Sequence, residues 1–135
     1  MSKWLFVMVC SSFLLVSGCS RTVEAGDAVG SYIANHGKGT DTLEIKADGT
    51  YSHSYKSSLE GVDTAFSHTG KWELEQGNKR IILKQFVEGW PRWPGAEVDL
   101  IPRNFNTVVK KSLFFGKVRI LINADSNYYY EKQES

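Results

Sequence analysis

The sequence predicts an all-β domain: an antiparallel up-and-down barrel, or a sandwich, of about eight short strands. Three observations predict it. Apolar and polar residues alternate with period two from residue 30 onward, which turns one face of each segment toward a core. Turn dipeptides rich in glycine, asparagine and aspartate separate the segments at hairpin spacing. No segment carries a sustained helical period. With 135 residues the chain holds one domain of ordinary size.

The strand signal opens at Gly30-Ser31-Tyr32. In T-L-E-I-K-A, Leu43, Ile45 and Ala47 alternate with Thr42, Glu44 and Lys46. Asp48-Gly49 then predicts a two-residue hairpin turn, because glycine tolerates positive φ. Tyr51, His53 and Tyr55 share the apolar face of the next strand, and Thr50, Ser52, Ser54 and Lys56 face outward. Over residues 65–75, Phe66, His68, Gly70, Trp72 and Leu74 face inward; Ser67, Thr69, Lys71, Glu73 and Glu75 face solvent. Gln76-Gly77-Asn78 turns the chain, and Ile81, Leu83 and Val87 form the inner set of R-I-I-L-K-Q-F-V. After the loop E-G-W-P-R-W-P-G-A, shorter strands are expected near 97–101, 105–111, 117–122 and 127–132, with N-A-D-S-N turning the last pair. Barrel closure would remove exposed strand edges.

The chain begins M-S-K-W-L-F-V-M-V-C-S-S-F-L-L-V-S-G-C-S. One cation, Lys3, precedes a mostly apolar run over residues 4–16, and small residues follow. That is the layout of a secretory signal peptide. The run is too short for a bilayer span, which needs about 20 apolar residues. Val16-Ser17-Gly18-Cys19 closely resembles the lipobox of bacterial lipoproteins. The resemblance implies a diacylglyceryl group on the Cys19 thiol, cleavage before that residue, acylation of the freed amine, and a membrane contact made by lipid. The expected organisation is a signal peptide over residues 1–18, lipidated Cys19 with a polar tether to residue 28, and a β-domain over residues 29–135. Ser20 resembles the outer-membrane sorting type of enterobacterial lipoproteins, which implies the periplasmic face of the outer membrane.

Cys10 would leave with the signal peptide and Cys19 would carry the lipid, so the mature chain would hold no thiol. Cysteine catalysis and thiolate metal sites are thereby excluded. Losing Lys3 from the 16 basic residues leaves 15 against 15 acidic ones. A neutral balance argues against nucleic acid as a partner.

The segments T-L-E-I-K-A-D-G-T-Y and G-K-W are similar to the hairpin and following strand of small lipocalin-like domains of bacterial envelope proteins, over residues 41–83. The resemblance implies a fold and leaves the activity open, since one fold hosts many functions.

The histidine pair is the sharpest local feature. If residues 59–62 form the loop, Ser58 pairs with Asp63, His53 lies opposite His68, Tyr55 opposite Phe66, and Tyr51 opposite Gly70. A two-residue slip would make the histidines diagonal. Tyr51, His53, Tyr55, Phe66, His68 and Trp72 are therefore candidate ligand-binding residues. Trp90 and Trp93, stiffened by Pro91 and Pro94, are candidates for a lid. The alternative is a packed core whose histidines are satisfied by tyrosine hydroxyls. Two histidines are too few for zinc, so no metal is expected. No nucleophile elbow or metal-triad motif occurs, so neither catalytic residues nor a cofactor are expected. Lys110-Lys111 and Lys117-Val118-Arg119 flank Phe114-Phe115-Gly116, which reads as a solvated hairpin or an anionic headgroup contact.

Two functional readings follow. One is a non-catalytic binding module for a small or amphipathic ligand held in the barrel. The other is an envelope interaction or scaffold protein that contacts a protein partner through its Trp-Pro loop.

Overall fold

The computed structural model describes residues 22–58, 63–75, 79–89 and 100–135. Eight strands follow a four-residue helix: α1 (Ala25–Ala28), β1 (Gly30–Ala34), β2 (Thr40–Ile45), β3 (Thr50–Ser57), β4 (Thr64–Glu75), β5 (Arg80–Phe86), β6 (Arg103–Lys111), β7 (Val118–Asn123) and β8 (Tyr128–Lys132). Each strand pairs antiparallel with its chain neighbour, and β8 returns to β1, so the sheet is a closed up-and-down barrel rather than a sandwich.

Parity places the side chains. Leu43 and Ile45 on β2, Tyr51, His53 and Tyr55 on β3, and Ile81 and Leu83 on β5 are all at most 2 % exposed. Glu44, Ser54, Lys56, Ser67, Thr69, Lys71, Glu73 and Glu75 face solvent. An apolar, aromatic interior inside a polar outer wall is the reverse of a membrane-spanning barrel, whose outer band is apolar. The β3–β4 register has His53 opposite His68, Tyr55 opposite Phe66 and Tyr51 opposite Gly70.

Four local features depart from the pattern read along the sequence. The β2–β3 connection is a three-residue turn, with Lys46 N–H donating to the Thr50 carbonyl at 2.9 Å and Gly49 at φ 86°. Asp48 sits one position before the left-handed residue and accepts from the Thr50 amide and hydroxyl instead. Ala47 is thus an exposed turn residue, outside the core. Second, Ala25–Ala28 is helical where the sequence reads as tether. Its end is fixed to the barrel, because Tyr32 donates to the Ala28 carbonyl at 2.6 Å and Lys132 to that of Asp27 at 2.7 Å. Third, Leu100 and Ile101 lie outside any strand and are 53 % and 61 % exposed, and β6 starts at Arg103. The rest of that expected strand, residues 97–99, lies outside the described residues. Fourth, Gln85 adopts φ 55° within a bulge of β5, which shifts parity so that Phe86 and Val87 both turn inward.

The barrel has two chemically distinct ends. One carries α1, the β2–β3 turn, the β6–β7 turn and the end of β8. The other carries the β1–β2 loop, the ends of β3 and β5, and the β7–β8 turn. The chain enters at the first, and Cys19 lies three positions before Thr22. Among the described residues the whole buried core falls between Ala28 and Tyr130.

Candidate functional site

The interior is organised around one carboxylate. Asp41 shares parity with Leu43 and Ile45, so β2 points it inward, where it is 0 % exposed. Its Oδ2 lies 3.0 Å from His36 Nε2. Its Oδ1 lies 2.7 Å from His53 Nε2 and accepts from the Tyr130 hydroxyl at 2.8 Å. The His36 tautomer follows from its other contact. Lys38 N–H donates to His36 Nδ1 at 3.0 Å, so the ring hydrogen sits on Nε2 and points at Asp41. Three elements far apart in the chain (the β1–β2 loop, β3 and β8) thus converge on β2.

Burial disfavours a charged carboxyl. For Asp41 the hydrogen bonds from His36 and His53, the electrostatic pull of His53 and the Tyr130 hydroxyl outweigh it, and its pKa falls below the ordinary value. Burial and the Asp41 charge push the Tyr130 hydroxyl well above its ordinary range. Tyr130 therefore acts as a hydrogen-bond donor throughout the physiological pH range.

His68 stands on the other side of His53, with ring centroids 5.0 Å apart and planes near perpendicular. Val87 N–H donates to its Nε2 at 3.3 Å. The hydrogen of His68 is accordingly on Nδ1, a buried atom with no hydrogen-bond partner. Burial, reinforced by His53, lowers its pKa to about 4. His68 is thus a neutral ring at neutral pH, packed between Tyr51 and Phe66.

The remaining sequence-predicted residues that the structure describes are distributed along the barrel. Tyr51 donates to the Lys84 carbonyl at 2.7 Å. This bond matters because β4 pairs with β5 only over Trp72–Glu75, while its first half pairs with β3 alone. Tyr51 and His68 thus stitch the seam where the ladder stops. Tyr55 donates to the Lys38 carbonyl at 3.0 Å and fixes the β1–β2 loop. Phe66 packs on His53 and Tyr55. Trp72 donates to the Lys46 carbonyl at 2.8 Å and closes the opposite end under the β2–β3 turn. Trp90, Trp93 and Cys19 lie outside the described residues.

Asp41, His36 and Tyr130 complete the cluster, and the sequence reading did not single out Asp41. The signal was available: an acid two positions before Leu43, in phase with the buried face of β2. Tyr130 falls in the last expected strand, 127–132, where alternation puts it on one face with Tyr128 but does not name its partner.

Chemically, the cluster holds an acceptor surrounded by donors. Among the described residues no group of histidine, cysteine, aspartate or glutamate side chains is arranged to hold a metal ion. No protein-family model, curated protein or solved structure matches the chain.

Proposed function

We propose that this chain is a lipid-anchored bacterial envelope protein, and that it works as a non-catalytic docking module whose outer surface meets another envelope component. The observation that carries this reading is the state of the interior. Tyr32, Tyr51, His53, Phe86 and Tyr130 are at most 1 % exposed, and both oxygens of Asp41 are taken up by His36, His53 and Tyr130. An eight-stranded barrel is just wide enough to be filled by its own side chains. Such a barrel is a rigid platform, and binding falls to its ends. Anchored through Cys19, the protein would turn its β1–β2 loop and exposed Leu100 and Ile101 away from the membrane; the Trp90–Trp93 segment, outside the described residues, is offered as a contact on its sequence alone. Trp and Arg, which that segment combines, are enriched at binding hot spots.

One observation favours the second reading, a small ligand inside the barrel. The buried Nδ1–H of His68 lacks an acceptor, and a ligand oxygen could supply one.

Native mass spectrometry on residues 20–135 incubated with envelope extract separates the two. A mass increase equal to a whole polypeptide, lost on replacing Trp90 and Trp93 with alanine, is the expected result. A small-mass adduct that disappears in the His53→Phe/His68→Phe variant would replace the docking reading with the ligand reading.

A further inference from the structure

The β6–β7 turn presents the most exposed large apolar side chains among the described residues: Phe114 at 89 % and Phe115 at 83 %, beside Leu113 at 41 %. Leaving two phenylalanines in water forfeits the favourable burial of each ring. The turn is built rather than loose. Ser112 N–H donates to the Lys117 carbonyl at 2.8 Å, Gly116 N–H donates to the Ser112 carbonyl at 3.2 Å, and Gly116 adopts φ 63°. The two rings are therefore held at the tip of a closed hairpin.

Its position is informative. Lys111, at the end of β6, pairs with Asp27 of α1, and Lys132, at the end of β8, donates to the Asp27 carbonyl. The phenylalanine tip and the entry of the chain thus share one end of the barrel. Cys19 precedes the first described residue by three positions. Cations surround the tip: Lys110, Lys111, Lys117 and Arg119. Asp27 neutralises Lys111, and Glu131 lies 3.5 Å from Lys117 and 2.7 Å from Arg119. Four cations against two carboxylates leave the surround net positive, so the contact this tip offers is apolar with a basic rim.

We infer that Phe114 and Phe115 are a second membrane contact, inserted into the interfacial region of the bilayer when the protein is anchored at Cys19. The orientation rests on the lipid-anchor reading above. A lipid chain at one point leaves the domain free to swing; two inserted rings at the same end fix its tilt and hold the far-end loops outward. Insertion of aromatic rings at the headgroup level is the favoured depth for such side chains.

The test supplies the anchor chemically, so it does not depend on acylation in the cell. Residues 19–135 contain Cys19 as their one cysteine. That thiol is coupled to a maleimide-bearing lipid in vesicles of phosphatidylethanolamine with a minority of phosphatidylglycerol. Two variants are compared with the parent, Phe114→Trp at the tip and Asp125→Trp at the far end, using lipids brominated high on the acyl chain. The added tryptophan at 114 is expected to be blue-shifted and quenched, and that at 125 to be neither. Replacing Phe115 with alanine in the Phe114→Trp background should cut the quenching several-fold. Equal, weak quenching at both positions would overturn the inference and leave the tip as a contact for another protein. Failure of natural Cys19 acylation would show separately, in the mass of the protein extracted from membranes.

Discussion

Replacing Asp41 with asparagine is expected to remove about 3–5 kcal/mol of folding stability. The substitution keeps the shape and one acceptor oxygen. It replaces the other with an amide that donates. If that amide faces His36, it meets the Nε2–H, and His36 cannot swap tautomers because its Nδ1 already accepts from Lys38 N–H. If the amide faces the other way, it meets the Tyr130 hydroxyl and His53 together. The first rotamer sets donor against donor in a site sealed from water; the second forces the Tyr130 hydroxyl to turn toward His53 Nε2 and His53 to change tautomer. Urea denaturation compares Asp41→Asn with Glu44→Gln, an exposed acid on the same strand, for which the change should stay within about 0.5 kcal/mol. A loss below about 1 kcal/mol for Asp41→Asn would mean that the cluster does not anchor the core.

The second large effect is expected at Gly70. A Cβ there would lie 2.6 Å from the Tyr51 ring and 2.6 Å from the Lys84 carbonyl oxygen, closer than real Cβ contacts. The glycine is what lets the tyrosine ring cross β4 and reach β5 where the ladder has stopped. Gly70→Val should expel that ring, break the Tyr51–Lys84 bond and open the seam, at a cost of about 3 kcal/mol. Tyr51→Phe, which removes only the hydroxyl, should cost about 1 kcal/mol. The ordering of the two in thermal denaturation distinguishes loss of the ring's seat from loss of one hydrogen bond. Equal effects would contradict the role given to Gly70.

Much of the fold was legible because strand parity is a local signal. Tyr51, His53 and Tyr55 announce an inner face by themselves, and the 59–62 loop length sets their partners on β4. The barrel's closure was less legible, because alternation alone serves a sandwich equally well; β8 meeting β1 is a property of the whole sheet. The helix at Ala25–Ala28 is too short to show a period, and it exists because Tyr32, Lys111 and Lys132 hold it. The Asp41 cluster joins residues up to 94 positions apart, from His36 to Tyr130, and parity can place each on a face without saying which will touch. The bulge at Gln85 has the same cause. Its backbone is bent by pairing with β6, and its side-chain type does not signal it.

A barrel interior that is a closed structural core leaves its three imidazoles in fixed protonation states. The most direct test is the imidazole nitrogen spectrum of the protein, which has three histidines, recorded by NMR with and without envelope extract. The prediction is that His36 carries its hydrogen on Nε2, that His68 stays neutral until about pH 4, and that none of the resonances moves when extract is added. His68 gaining its proton near the ordinary histidine range, or His53 and His68 shifting together on addition of extract, would contradict a closed core and place a ligand inside the barrel.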